Sequence, residues 1–517
     1  VDPLIGQQIT LGAGVPGLPA GTYTLMPSTY ALLPGAFRVE LNGSAGQGAA
    51  QPGSAMRNGS WSAAARLGIA NTAIGDTLFR QAILTPAEVL RTYSQYNETS
   101  FNQFIVNDAA RIGVPRAMAP ADARTLLLAL MPNTGAGADA FHFGGIGRFG
   151  AAKGGYGGTV AVFAGSGGPQ SQIEVVGGGA NATTGFEGVT LNADALNAMG
   201  ASRLMLGGLQ YVTYGPGGRI VMFGTGTNSL TLRQGAVLSA PEVFLLADAT
   251  NTDNPSHLVI EQGAAIRTLG KGRAAYDSAD GFVYAGSAGN LVAVSNGVLS
   301  MLPVPPSVDR LGNRSLQVGV CVVSPCAGQT ELYSEGTIAL STPDRFVLDD
   351  TVRYGTRNLT LAVQGINVGD GAVLADAAAR NTLPSGLVLN QGVLNRLLRG
   401  DTQYGAPALE TLQLNASGGL RFFGGASLDT IDPATGKSTL ARLVLGTPAI
   451  YGAGAAGDVA TIRTGNLIWK GSTVAPGAAV TGGAGTGSGT LAIEAGTIEF
   501  GYGPGAQATG ASDDARL

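Results

Sequence analysis

The sequence predicts an all-β protein whose strands stack as successive coils of a parallel β-helix, a solenoid, with a small helical insertion. The first reason is a recurring phrase in which two apolar residues, separated by one residue, precede a glycine. Apolar residues at period 2 turn one face of a strand inward, and glycine supplies the positive φ that a tight corner needs. The phrase occurs at Leu230, Leu232 and Gly235, at Leu258, Ile260 and Gly263, at Leu491, Ile493 and Gly496, and, with one more residue before the glycine, at Leu359, Leu361 and Gly365 and at Leu412, Leu414 and Gly418.

The second reason is the composition. Glycine accounts for 82 of the 517 residues, which is roughly twice its ordinary share of about 7%, and 12% of residues are charged, against about 25% in typical soluble domains. The hydrophobic content of 44% is too high for a disordered chain. Since each coil of a solenoid contacts only its neighbours, one long rod is expected from a chain of this length.

The charge balance and the apolar runs exclude two classes of partner. The net charge is −4, and no basic cluster interleaved with aromatic residues occurs, so we expect no nucleic-acid partner. The longest apolar runs, such as Thr125 to Met131, fall far short of the roughly 18 residues that a membrane span needs. The chain opens at Val1 without an initiator methionine or a signal-peptide pattern, so we expect a processed product or an excised part of a longer protein.

The pattern divides the chain into three zones. Residues 1–60 are expected to hold N-terminal strand repeats of the β-helix, because two related phrases, at 18–25 and 33–39, each predict a turn followed by a strand. Residues 61–134 are expected to form a helix-containing insertion or cap. Residues 135–517 are expected to form the main parallel β-helix with short helical insertions.

Four helices are predicted. The first begins with Thr85 as its N-cap and Pro86 at its first position, and the second runs from Ser100 to Ile112 with Gly113 as its stop. Two shorter helices are expected at 192–199 and 391–399, each before a fresh set of strands.

The two cysteines, Cys321 and Cys326, enclose a four-residue segment that ends in proline. A local disulfide in an oxidising compartment suits this spacing better than a metal site, which would need more ligands. The alternative is a pair of free, partly buried thiols. No metal site is expected.

Several segments resemble a known family. They have the sequences Leu-Pro-Ala-Gly-Thr-Tyr at 18–23, Tyr-Ala-Leu-Leu-Pro-Gly-Ala at 30–36, Arg-Thr-Tyr-Ser-Gln-Tyr-Asn-Glu-Thr at 91–99 and Gly-Asn-Leu at 289–291. These segments resemble the filamentous haemagglutinin family of large bacterial exoproteins, in a region toward the C-terminal part of those proteins. The resemblance implies a right-handed parallel β-helix, exported through an outer-membrane partner by two-partner secretion and then displayed or released as an adhesin or matrix component. The family's N-terminal secretion domain is not visible in this chain, so the export route is an inference.

Residues for catalysis are sparse. The two histidines, His142 and His257, have no neighbouring acid or nucleophile signature, so no catalytic residue and no cofactor is expected. Clustered carboxylates could support cleavage of acidic polysaccharides, and the candidates are Asp349 and Asp350 with Arg353, and Asp248 with Asp253. Adjacent residues of a strand point to opposite faces, so Asp349 and Asp350 are not expected to converge.

The triplet Arg399-Gly400-Asp401 follows a predicted helix and is the candidate receptor-binding motif, since it can present paired opposite charges from a turn. We therefore expect a secreted structural or adhesive rod of a bacterial cell surface or biofilm matrix, and not an enzyme. In one mode, copies of the chain join end to end into extracellular filaments. In the alternative, a monomeric adhesin presents loops to a host receptor or glycan. A polysaccharide lyase or hydrolase built on a β-helix is the less favoured third interpretation.

Overall fold

The computed structural model describes residues 3–41, 53–93, 99–112, 116–131, 141, 143–165, 171–215, 218–248, 255–275, 277, 282–284, 289–301, 314–323, 325–453, 455, 457–470 and 489–501, without the side chains at 211–223, 225 and 283. The chain divides into two compact units, Val1–Phe104 and Ile105–Leu517. None of the helices within these ranges is long and apolar enough to cross a membrane.

The first unit contains one antiparallel sheet. Its strands are β1 (Gln8–Leu11), β2 (Gly21–Thr24), β3 (Phe37–Leu41), β4 (Ser54–Ala55), β5 (Trp61–Gly68) and β6 (Arg80–Pro86). The strand order is β2-β1-β5-β6-β3, with β4 paired to β5, and all the pairs are antiparallel. The sheet buries Ile9, Leu11 and Leu84 on its inner face. A 3₁₀ helix at Ser28–Leu32 connects β2 to β3.

The prediction of parallel coil repeats over residues 1–60 was wrong for these strands. The two phrases do form strands after a turn, but β2 pairs with β1 and β3 pairs with β6. The predicted boundary at residue 60 also falls inside the sheet, since β5 and β6 belong to it. The strand β2 folds back on its neighbour β1, whereas β3 pairs with β6, which follows β4 and β5 in the chain. A repeated phrase therefore specifies a strand without specifying its partner.

The helical zone is present. The helices α1 (Ala87–Tyr93) and α2 (Phe101–Ile112) confirm the two predicted helices, although Pro86 is the last residue of β6 and the helix starts one residue later. Of the side chains expected on one face of α2, Ile105 and Ala109 are buried. Phe101 and Phe104 are exposed.

The second unit is built mainly from strands. They are β7 (Thr125–Leu130), β8 (Thr159–Ala164), β9 (Gln172–Val176), β10 (Val189–Asn192), β11 (Arg203–Leu206), β12 (Gly208–Gly215), β13 (Gly218–Thr225), β14 (Ser229–Leu232), β15 (Val237–Leu238), β16 (Glu242–Ala247), β17 (Ser256–Ile260), β18 (Ala265–Arg267), β19 (Phe282–Tyr284), β20 (Asn290–Ser295), β21 (Ser300–Met301), β22 (Arg314–Val318), β23 (Glu331–Tyr333), β24 (Thr337–Thr342), β25 (Arg345–Leu348), β26 (Arg353–Gly355), β27 (Asn358–Val363), β28 (Ile366–Gly369), β29 (Leu387–Asn390), β30 (Thr411–Ala416), β31 (Leu420–Phe423), β32 (Ser427–Asp429), β33 (Arg442–Gly446), β34 (Ile450–Gly452), β35 (Val459–Lys470) and β36 (Thr490–Phe500).

These strands form two large and two small sheets. The ten-stranded sheet has the order β10-β9-β14-β17-β22-β25-β29-β28-β31-β34, and its pairs are parallel. The twelve-stranded sheet has the order β32-β35-β33-β30-β27-β24-β20-β16-β11-β8-β7, with β36 on β35. Its pairs are parallel except where β20 lies antiparallel between β16 and β24. The small sheets are β15-β18-β23-β26, which is parallel, and β12-β13-β19-β21. The prediction of a mostly β protein is therefore confirmed.

The chain visits the sheets in a recurring order. From β24 in the twelve-stranded sheet it enters the ten-stranded sheet as β25 and the small parallel sheet as β26, and it returns to the twelve-stranded sheet as β27. One such passage through the three sheets is a circuit. On its return, Asn358 pairs in register with Thr337 of the circuit before. Each such return places apolar side chains directly over those of the circuit before.

The repeated phrase accounts for this stacking. Leu230 pairs in register with Leu258, and Leu232 pairs with Ile260. The corner glycines also correspond, since the Gly235 N–H donates to the Gly263 carbonyl at 3.1 Å and both residues have positive φ. The apolar residues of the longer variant stack in the same way, because β27 and β30 bring Leu359 beside Leu412. The prediction of a positive φ was wrong for Gly365, Gly418 and Gly496, and Gly496 lies within β36 and not at a corner.

Among the described residues, three α-helices interrupt the strands of the second unit. The helices α3 (Ala193–Ala198) and α5 (Gln391–Leu397) confirm the two short predicted helices, and each begins at an asparagine whose side chain accepts backbone N–H bonds. The helix α4 (Gly371–Ala379), capped by Asp370, was not predicted. Its Ala-rich sequence lacks the apolar periodicity that would have marked it.

Candidate functional site

A cleft of about 540 Å³ opens in the second unit between β25 and α5. It exists because the ten-stranded sheet is nearly broken at this point. The strand β25 pairs with β22 over four residues, but it meets β29 at a single pair, Phe346 with Leu387. Beyond Phe346 the chain therefore diverges from the next circuit, and α5 lies across the gap.

The rim of the cleft is charged. Arg396 of α5 pairs with Asp350 at 3.2 Å, and Arg353 of β26 pairs with Asp401 at 3.3 Å. Arg353 Nε also donates to Gln329 Oε1 at 3.0 Å. Two of the three guanidinium groups at the cleft are thus neutralised by carboxylates from a different circuit.

Asp401 is held from several sides. Its Oδ2 accepts a hydrogen bond from the Tyr333 hydroxyl at 3.0 Å, and its Oδ1 accepts one from the Gln403 backbone N–H at 2.7 Å. Its side chain is 16% exposed. The backbone of this loop lies against Gly355, where a Cβ would come within 2.2 Å of the Asp401 carbonyl. Only glycine therefore allows the loop to close over the edge of β26.

Two tyrosines beside the cleft remain protonated. Burial raises the pKa of Tyr333, and its hydrogen bond to the Asp401 carboxylate raises the pKa further. Burial also raises the pKa of Tyr354, whose hydroxyl donates to the Leu397 carbonyl. Neither phenol can act as a general base near neutral pH, so both serve as hydrogen-bond donors that fix the loop.

The floor of the cleft is apolar. Leu348 and Val352 are partly exposed there and pack against the main core. Leu340 and Val393 form buried walls. The cleft therefore joins a charged rim to a hydrophobic interior.

Arg399 is the third guanidinium of the rim. Its side chain is exposed, and its backbone N–H donates to the Arg396 carbonyl at the end of α5. Within the part of the chain that the structure describes, no carboxylate pairs with this guanidinium.

The cleft brings together two groups that the sequence analysis treated separately, Asp349-Asp350 with Arg353 and Arg399-Gly400-Asp401. Asp349 and Asp350 have different partners: Asp349 Oδ1 accepts bonds from the backbone N–H and the hydroxyl of Thr351, whereas Asp350 pairs with Arg396. The Asp401 carboxylate of the triplet faces Tyr333 and Arg353. The sequence carried no signal for this convergence. The two groups meet because β25 leaves β29 in the ten-stranded sheet, which is a feature of the tertiary structure.

The other candidate residues lie away from the cleft. Asp248 pairs with Arg314 at 2.8 Å, while Asp253 and His142 lie outside the described residues. His257 Nδ1 is 2.8 Å from Ser315 Oγ, and burial lowers the pKa of this histidine.

Cys321 and Cys326 form a disulfide with their Cα atoms 5.8 Å apart. Across the described ranges, no group of three or more His, Cys, Asp or Glu side chains is arranged to hold a metal ion.

The ends of the twelve-stranded sheet are a second feature of interest. Successive strands align one side chain each in an apolar ladder, which runs Leu126, Val160, Leu204, Val243, Val294, Ile338, Leu359, Leu412, Leu443, Leu467, Ile498. A neighbouring ladder runs from Leu128 to Phe500. At the ends, Leu126 is 37%, Ile498 41% and Phe500 68% exposed.

Comparisons of the chain with protein-family models, with curated proteins and with solved structures found no match.

Proposed function

We propose that this protein is a secreted structural and adhesive rod of a bacterial cell surface or biofilm matrix, and that its copies join end to end into filaments. In this proposal the two large sheets and the sheet β15-β18-β23-β26 are the faces of one right-handed parallel β-helix, which the antiparallel strand β20 interrupts. The resemblance to the filamentous haemagglutinin family supports this, and it also supports export through an outer-membrane partner. The recurring passage from β24 through β25 and β26 to β27 is the order of faces that such a coil requires.

The observation that carries the proposal is that the apolar ladder ends in exposed side chains on both edge strands. The first edge strand, β7, has the sequence Thr-Leu-Leu-Leu-Ala-Leu and carries no charge. Natural edge strands usually avoid pairing by means of lysine, proline or a bulge. An uncharged apolar edge strand is instead a template for another strand.

The directions of the two edge strands allow a second copy to add to the sheet. Every strand of the twelve-stranded sheet except β20 runs in one direction, so β7 and β36 are parallel. In the ten-stranded sheet, the edge strands β10 and β34 are likewise parallel. A copy moved along the ladder would therefore set its β7 parallel to β36 of the first copy.

In that arrangement Leu126 of one copy continues the ladder beyond Ile498 of the other, and Leu128 continues the neighbouring ladder beyond Phe500. The contact uses a different surface on each copy and does not close, so it generates a filament and not a dimer. Burial of apolar side chains together with a parallel hydrogen-bond ladder would stabilise it.

The test is sedimentation velocity and electron microscopy of the purified chain over a range of concentrations. The wild type is expected to form filaments, and Ile498→Lys is expected to stay monomeric because a charge would be buried at the contact. The matched control is Val388→Lys, whose side chain is 38% exposed on β29, away from both edges, and which should assemble normally. A wild type that remains monomeric throughout would overturn the proposal.

The monomeric adhesin that presents Arg399-Gly400-Asp401 to a receptor has weaker support. A receptor would need the Asp401 carboxylate, which already accepts hydrogen bonds from Tyr333 and Arg353. Releasing it would take the hydrogen-bond acceptor from the Tyr333 hydroxyl and the carboxylate from Arg353, which would keep Gln329 alone.

A further inference from the structure

The cleft between β25 and α5 combines features that a purely structural rod does not need. Its floor exposes part of Leu348 and Val352, which pack against the main core. Leaving apolar surface in contact with water costs about 25 cal/mol for each Å². A ligand that covered the floor would recover that free energy.

The charges at the rim define the polar part of the ligand. Arg353 and Arg396 are committed to Asp401 and Asp350, so their positive charge is already balanced. Arg399 has no such carboxylate among the described residues, and its planar guanidinium fits a carboxylate through two parallel hydrogen bonds. The rim therefore offers one cation to a ligand.

The same rim argues against a highly charged ligand. Asp349 and Asp350 also line the cleft, and among the described residues the Asp349 carboxylate accepts hydrogen bonds only from Thr351. A polyanion would meet these carboxylates at short range and be repelled. A sugar acid would place its hydroxyl groups against the apolar floor, where they would lose hydrogen bonds to water.

We propose that this cleft binds a small amphiphilic carboxylate, with the ligand's carboxylate on Arg399 and its apolar body against Leu348 and Val352. The volume of about 540 Å³ lies within the range of about 300–1,000 Å³ that is usual for small-molecule sites. This site lies away from both edge strands, so the inference does not depend on end-to-end assembly.

Isothermal titration calorimetry with decanoate tests the inference. The titration uses the Ile498→Lys protein, so that assembly and ligand binding can fail separately. Decanoate is expected to bind at one saturable site, whereas acetate, which lacks the apolar body, and decanol, which lacks the charge, should each bind at least about tenfold more weakly.

Variants at the rim and the floor identify the site. Arg399→Ala is expected to weaken decanoate binding at least about tenfold. Arg399→Lys should retain part of the affinity, because the lysine ammonium keeps the positive charge but lacks the two parallel N–H donors of the guanidinium. Arg345→Ala is the matched control, since Arg345 is exposed on the same strand β25 but does not line the cleft. Val352→Asn should also weaken decanoate binding.

Three results would each overturn the inference. They are the absence of saturable decanoate binding, an unchanged affinity in Arg399→Ala, and preferential binding of galacturonate over decanoate. The thermal unfolding of each variant, measured alongside, identifies any loss that comes from misfolding.

Discussion

Leu126 and Ile498 occupy the two ends of one ladder of side chains in the twelve-stranded sheet. The nine residues between them are at most 2% exposed, whereas these two are 37% and 41% exposed. The ladder is therefore a continuous apolar column whose ends face solvent. Its interior should control the stability of the second unit, and its ends should control association.

Two alanine substitutions compare the contributions of the interior and the end of the ladder to stability. Leu359→Ala, in the interior, should lower the free energy of unfolding by about 2–5 kcal/mol, because it leaves a cavity between packed strands. Ile498→Ala should lower the free energy of unfolding by about 1 kcal/mol, because much of this side chain is already in water. Urea denaturation followed by circular dichroism, at concentrations below those of assembly, measures both. Equal losses would contradict the distinction between interior and end.

The paired corner glycines provide a second prediction. Gly235 and Gly263 have φ of +78° and +82°, so alanine at either position adopts a strained conformation that costs about 1–2 kcal/mol. A Cβ at Gly235 meets no atom within 4 Å, but at Gly263 it would lie 2.3 Å from the Ala327 carbonyl. Gly263→Ala should therefore lower the midpoint of thermal unfolding clearly more than Gly235→Ala. An equal effect would mean that conformational strain alone sets the cost.

Much of the second unit could be predicted from the sequence, because its phrases repeat. Period 2 identified the inward-facing residues of the repeated phrases, so the sequence alone marks Leu230 and Leu258 as equivalent. Glycine identified corners at Gly235 and Gly263, whereas Gly496 lies within β36. The strands β16, β20 and β24 are buried on both faces and carry no such alternation. The first unit has related phrases but antiparallel pairs, because a phrase does not specify its partner: β2 pairs with its neighbour β1, whereas β3 pairs with β6 further along the chain.

The cleft could not be predicted in the same way. Asp350 and Arg396 meet at the cleft, where β25 departs from β29 and α5 supplies Arg396. No local spacing encodes that displacement. The sequence marks the individual residues as candidates, but their convergence is a property of the tertiary packing.

A buried ion network gives a third prediction. Arg233 Nε lies 2.8 Å from Glu174 and its Nη1 lies 3.0 Å from Glu261, and both carboxylates are buried. Arg233→Ala would leave these two charges without their shared partner and should destabilise the second unit by about 3–5 kcal/mol. The matched control is Arg357→Ala, which breaks an exposed pair with Glu410 and should cost at most about 1 kcal/mol. Urea denaturation of both variants is the measurement, and a small loss for Arg233→Ala would show that water reaches the two carboxylates.

The last prediction concerns the pH dependence of stability. Burial lowers the pKa of His257 below its ordinary value of 6.5, so the folded protein keeps this imidazole neutral at pH values where the unfolded chain already binds a proton. Its contribution to stability is therefore complete above about pH 6.5 and is lost as the pH falls through the folded pKa. The slope from this one group cannot exceed about 1.4 kcal/mol for each pH unit. His257→Gln removes the titrating group beside Ser315, so urea midpoints measured from pH 7.5 to 5.5 should fall less steeply in the variant than in the wild type. Identical slopes would show that His257 takes up its proton equally well in the folded and unfolded chains.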